Sequence, residues 1–105
     1  MPVRTSYITH EQIDREVERA KQKLGPEVVR VKHSFGEDTG GDPAIYFRVV
    51  ITDEASRRGS LGPVIQRVAD TFINELHPYA DWGLLPYFRF RNESEYAALK
   101  DPAWG

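Results

Sequence analysis

Behind Thr9, the apolar residues Ile13, Val17, Ala20 and Leu24 recur at helical spacing, and Thr9 with Gln12 has the form of a capping box. This pattern predicts a helix from His10 to Leu24, stopped by Gly25-Pro26. Glu11, Arg15, Glu18, Arg19 and Lys23 occupy its other faces, with Glu11 and Arg15 one turn apart as an ion pair, so one stripe is buried and the rest solvated. From Glu27 the period shortens to two: Val29, Val31, His33 and Phe35 alternate with Val28, Arg30, Lys32 and Ser34, a strand with the first set facing inward. Ile45, Phe47, Val49 and Ile51 alternate with Tyr46, Arg48 and Val50 in a second strand, Ala44 to Thr52. The Gly36 to Asp42 segment joins the two as an antiparallel hairpin.

Helical spacing returns at Leu61, Val64, Ile65, Val68, Ala69, Phe72, Ile73 and Leu76, a helix capped by Ser60 and ended by His77-Pro78. Pro63 fits its first turn, where an amide has no intrahelical partner to lose. Pro78 to Gly83 reads as a turn, Leu84 to Arg91 as a third strand placed toward an edge by Pro86, and Asn92 with Glu95 as the cap of a short helix, Glu93 to Lys100. The order is α-β-β-α-β with a short C-terminal helix. The expected fold class is α+β, a two-layer sandwich of a three-stranded sheet with both main helices on one face and the other face open. The third strand can lie beside either of the first two, and alternation does not decide between them. The chain is expected to be one domain, residues 1–105, with an N-terminal arm of 1–8 and a tail of 101–105.

At 105 residues the chain suffices for about one core, and the absence of cysteine excludes disulfides and thiolate metal sites. Fourteen basic and sixteen acidic side chains leave a net charge of −2, so an anionic partner needs a local patch rather than the field of the whole molecule. With no secretory or membrane-length apolar run, a cytoplasmic location and no membrane partner are expected.

Such a patch is predicted on the open sheet face. Arg30, Lys32, Tyr46, Arg48, Tyr87, Arg89 and Arg91 all point outward in this reading. Aromatic rings and cations together serve three ends: stacking and neutralising single-stranded nucleic acid, anchoring a protein interface, or keeping a solvated face soluble. Arg57-Arg58-Gly59-Ser60-Leu61-Gly62 adds a G-x-x-G before a helix, and with the surrounding α-β-β and α-β order it resembles a type II KH domain over residues 10–91. That resemblance implies single-stranded RNA held by this loop. The plainer account is that Gly59 and Gly62 permit a tight entry into a helix. Glu37, Asp38 and Asp42 bring carboxylates to the hairpin loop, but their spacing matches no calcium loop and suits an ordinary turn or a partner-facing loop, so no metal is expected. Asp53 and Glu54 sit at the opposite end of the second strand, too far away to join them. His33 is expected at the rim of the core as a hydrogen-bonded residue. Trp82 should close one end of the core, and Trp104 either packs back on the body or anchors a partner. Neither a nucleophile elbow nor a phosphate-binding loop is present, which argues against an enzyme, a cofactor or a small-molecule substrate.

The run Ser34-Phe-Gly-Glu-Asp-Thr-Gly-Gly-Asp-Pro-Ala-Ile-Tyr-Phe-Arg-Val-Val50, then Asp53-Glu-Ala-Ser56, Trp82-Gly83, Pro86-Tyr-Phe88 and Asp101-Pro-Ala-Trp104, resembles a family of small uncharacterised bacterial α+β proteins. The similarity covers most of the chain. It implies a protein partner, as in a toxin–antitoxin-like pair, and carries over no functional residue. The expected function is therefore a small protein-interaction module, as a homodimer or with another protein, using the sheet face and the Glu37 to Asp42 loop, with single-stranded RNA binding as the alternative.

Overall fold

The computed structural model describes residues 9–105, so the expected N-terminal arm lies outside the described residues. Helix α1 spans His10–Lys21. Its capping box forms as expected: the Thr9 hydroxyl accepts from the Gln12 amide at 3.1 Å, and the Gln12 side chain accepts from the Thr9 amide at 2.8 Å. The helix ends a turn sooner than its apolar stripe predicts. Lys23 and Leu24 donate to carbonyls only three residues back, a tightened final turn that still leaves Leu24 against the core before Gly25-Pro26. No Glu11–Arg15 pair forms; Arg19 and Lys21 instead pair with Glu16 and Glu18.

Strands β1 (Val28–Glu37) and β2 (Pro43–Ile51) form the expected antiparallel hairpin. One expectation fails at its start. Val28 lies opposite Ile51 and Arg30 opposite Val50, so Val29 is an extra, bulged residue, half exposed, and Val28 takes the inward place assigned to it. A bulge inserts one residue on one strand only and thereby reverses the alternation on one side of itself.

Helix α2 (Leu61–Leu76) buries Val64, Val68, Phe72 and Leu76. Ser60 does not cap it: its backbone is already helical and its side chain accepts no cap bond. The chain enters through successive turns from Thr52, whose hydroxyl accepts from the Ala55 amide at 3.1 Å. Where a plain turn was expected, Pro78–Trp82 forms a one-turn helix, α3. Left-handed His77 and Gly83 flank it, and Trp82 is buried at the end of the core. The α2–α3 crossover returns the chain to the start of β2, so β3 (Leu85–Asn92) pairs parallel to β2 and the strand order is β1-β2-β3.

The fold is therefore α+β with a mixed three-stranded sheet. Side chains of α1 and α2 share one core with Ile45, Phe47, Val49 and Ile51 of the central strand, so both helices cover the same face. Within that core the Phe47 ring stacks on Phe72 at 4.6 Å and on Phe88 at 5.1 Å, joining α2, β2 and β3.

The opposite face is not open along its whole length. Helix α4 (Glu93–Leu99) starts with the expected capping box of Asn92 and Glu95, and left-handed Lys100 turns the chain back. The tail, Asp101 to Gly105, forms a 3-10 turn at Pro102–Trp104 against the sheet. Trp104 and Val50 are both buried, apart from the main core. Arg91 lies 4.4 Å above the Trp104 ring, and Arg30 and Lys32 each donate at 3.3 Å to carbonyls of Trp104 and Pro102. Trp104 is an anchor to its own sheet. Trp104→Ala should cost about 3 kcal/mol of stability by removing a buried ring and its contact with Arg91, as checked by equilibrium denaturation.

Candidate binding face

The strand register arranges the outward residues in three rungs. Ser34, Tyr46 and Tyr87 form the first, Lys32, Arg48 and Arg89 the second, and Arg30, Val50 and Arg91 the third. The tail occupies the third, and the Arg91 guanidinium lies 3.6 Å from Asp101. Of the seven predicted face residues, Tyr46, Arg48, Tyr87 and Arg89 therefore remain as one patch, bordered by Lys32.

The first rung ties down the hairpin loop. Asp38 Oδ1 accepts from the amides of Gly40 and Asp42, both at 2.9 Å, while Oδ2 accepts from the Tyr87 hydroxyl at 2.9 Å. The Asp42 amide first, and the Tyr87 hydroxyl second, hold the Asp38 carboxyl below the usual carboxylate range, and the same bond pushes the Tyr87 phenol up. The Tyr46 hydroxyl donates to the Glu37 carbonyl at 2.7 Å, and its ring covers Gly36 and stacks on Tyr87 at 5.4 Å. Asp38 thus closes a turn, and among the described residues no three His, Asp or Glu side chains converge as a metal-binding group.

The second rung sets three cations side by side on strands about 4.8 Å apart. Arg48 donates to the Ser34 hydroxyl at 2.7 Å and sits 6.0 Å from the Tyr46 ring centre; Lys32 reaches only a carbonyl. Arg89 is exposed and has neither a hydrogen bond nor an ion pair among the described residues. None of the three has a carboxylate within 4 Å there, although like charges directly opposite one another destabilise a sheet.

No family model, curated protein or solved structure matches this chain.

The other predicted residues lie apart from this patch. Gly59 takes a left-handed φ of 90° with open space around it, Gly62 already belongs to the first turn of α2, and Arg57 and Arg58 are exposed. No hydrogen bond or ion pair connects that segment to the four face residues. His33, its side chain 13% exposed, binds Asp14 at 2.6 Å, joining β1 to α1 at the rim of the core, while His10 stacks on Phe35 at 3.9 Å. The Asp53 carboxylate accepts from the Ser94 hydroxyl at 2.6 Å and amide at 3.0 Å, which hold it below its ordinary range and fasten α4 to the end of β2. Sequence reasoning missed both aspartates as fasteners because each partner lies far along the chain, with no local spacing to reveal it.

Replacing Arg89 by Glu puts a carboxylate beside Arg48 and should raise stability by about 0.2–1 kcal/mol in a denaturation experiment. Asp38 titrates lower in the folded chain than unfolded, so its bonds stabilise the fold above an unfolded pKa of about 3.9 and are lost as pH falls through the folded value. Amide resonances of Gly40 and Asp42 should report that loss in an acid titration, at a higher pH in Tyr87→Phe than in the parent.

Proposed function

We propose that the protein is an interaction module whose sheet face docks an acidic surface of a partner protein. The observation that carries this reading is the rung Lys32–Arg48–Arg89, three neighbouring cations left without a carboxylate among the described residues. A stability-neutral surface would intersperse the signs, whereas a row of one sign gives its energy back when an anionic partner neutralises it. The resemblance to a family of small uncharacterised bacterial proteins, which implies a protein partner, points the same way.

The chemistry favours a different protein over a second copy or a nucleic acid. A two-fold contact through this face would set the cation row against itself. Tyr46 and Tyr87 stack on one another, so each has one ring face taken up, and both hydroxyls are bound within the chain, which reduces what the pair offers to a base. The loop carboxylates Glu37, Asp38 and Asp42 lie on one side of the row, beyond the tyrosines, and Asp101 on the other, beside Arg91, so a long polyanion meets repulsion where a local acidic group does not.

Affinity capture from a lysate of the source organism, split into nuclease-treated and untreated halves, tests the reading. The parent chain should retain a protein through nuclease treatment, and Arg48→Glu with Arg89→Glu should lose it at least about tenfold while circular dichroism and the thermal midpoint show an intact fold. Retention by the double variant would remove this face. Recovery of RNA that is lost on nuclease treatment and weakened by salt would replace the protein partner with a nucleic acid.

A further inference from the structure

The sheet has two free flanks, and they differ. At β3 the flank carries Pro86, which has no amide to donate, and the strand is enclosed in sequence by α3 and α4. β1 is ten residues long and pairs with β2 on one side only; on its other side the Val28 amide donates to the Gly25 carbonyl at 3.1 Å, and from Arg30 onward no backbone group among the described residues bonds to that edge. A groove of about 590 Å³ runs beside that free edge, between β1 and the end of α1. Its lining mixes the aliphatic Leu24, Val28 and Val29 with the cations Lys21, Arg30 and Lys32 and contains no carboxylate side chain. Lys21 is paired with Glu18, but Lys32 reaches only a carbonyl, and Arg30 a carbonyl and the Tyr96 ring at 5.8 Å; neither meets a carboxylate side chain among the described residues.

We infer that β1 accepts an extended acidic segment of the partner as a fourth strand of the sheet. This inference rests on the proposed docking face and specifies how the partner reaches it. An unpaired edge recognises any extended backbone through its amides and carbonyls, so specificity comes from side chains at alternate positions. On an added strand the outward positions extend the existing rungs, and carboxylates two residues apart fall beside Lys32 and Arg30. The intervening positions turn to the helix side, where Val31 and Leu24 offer apolar contact. The bulge at Val29 disrupts regular pairing at the beginning of the strand and confines the added segment to the stretch from Arg30 onward.

Charge decides the occupant. A second copy pairing edge to edge would bring Arg30 and Lys32 of both molecules together. The chain's own residues 1–8 contain Arg4 and no carboxylate, so they lack the complementary charge too. A heterologous acidic strand satisfies both the backbone and the cations.

The test uses the full chain and a labelled peptide of alternating Glu and Val, about seven residues long. Anisotropy should show binding that weakens about tenfold or more when alternate peptide amides are N-methylated, and equally when Lys replaces Glu. Edge amides between Arg30 and Phe35 should exchange at least about tenfold more slowly in the complex. Absence of binding, or binding indifferent to N-methylation, overturns the added strand. If such indifferent binding is abolished by Arg48→Glu with Arg89→Glu, the docking face stands without the strand. If N-methyl-sensitive binding survives that double variant, the strand stands and the face falls. Protection of the same amides that grows with protein concentration alone would make the occupant a second copy and overturn the acidic partner.

Discussion

Phe47 is the residue on which the arrangement of the molecule depends. It sits on the central strand, fully buried, with Phe72 of α2 on one side and Phe88 of β3 on another. A two-stranded hairpin is marginal in water, and β1–β2 becomes a stable sheet by gaining a helix layer and a third strand. The Phe47 stack joins those two additions in one contact, between residues far apart in sequence. It also fixes the parallel register of β3, because Phe88 lies opposite Phe47 in the ladder. Once that register is set, the alternation of side chains places Tyr87 beside Tyr46 and Arg89 beside Arg48 on the far face. The charged rung is thus a consequence of the aromatic stack beneath it.

Local patterns were legible in the sequence wherever neighbours along the chain decide the structure. Thr9 with Gln12 and Asn92 with Glu95 both form the capping boxes their spacing announces, and the stripe of α2 faces the core as its period requires. What was misread or left open has a different cause. Val29 and Val28 exchange roles because a bulge leaves no mark in a run of consecutive valines. Strand order depends on which edge a crossover returns to, a tertiary matter that alternation cannot encode. Of the candidate face, the outward sense of all seven residues was readable. Its partial closure was only half so: a tryptophan in the tail has to pack on the body or on a partner, and nothing in Asp-Pro-Ala-Trp-Gly says that it lies under Arg91 on the outer face of the sheet. Asp53 looked like half of an acidic pair and serves as the anchor for Ser94.

The closure by the tail changes the meaning of the remaining surface. Arg30 and Arg91 are drawn into contacts with Trp104 and its neighbours, which spreads their charge over carbonyls, an indole and Asp101. At the other end the tyrosine hydroxyls are taken up by hydrogen bonds to the hairpin loop, whose carboxylates keep their charge. What the fold leaves without a carboxylate is the middle rung, with Arg30 of the third beside it. Had the whole face been a cationic sheet, a polyanion would be the natural ligand; a single rung between an acidic loop and an anchored tail suits a short acidic feature.

Position within the sheet sharpens that argument. Lys32 belongs both to the uncompensated rung and to the free edge of β1, so it is the point at which face and edge become one surface. A group docking on the face alone could satisfy Arg48 and Arg89 from above without ordering its own backbone. Engaging Lys32 in the plane of the rung requires a carboxylate held beside β1 at strand spacing, and the unpaired amides and carbonyls of that edge are the means of holding it there. The same strand that is kept from pairing indiscriminately by its bulge and its cations is therefore selective for a partner that brings the opposite charge.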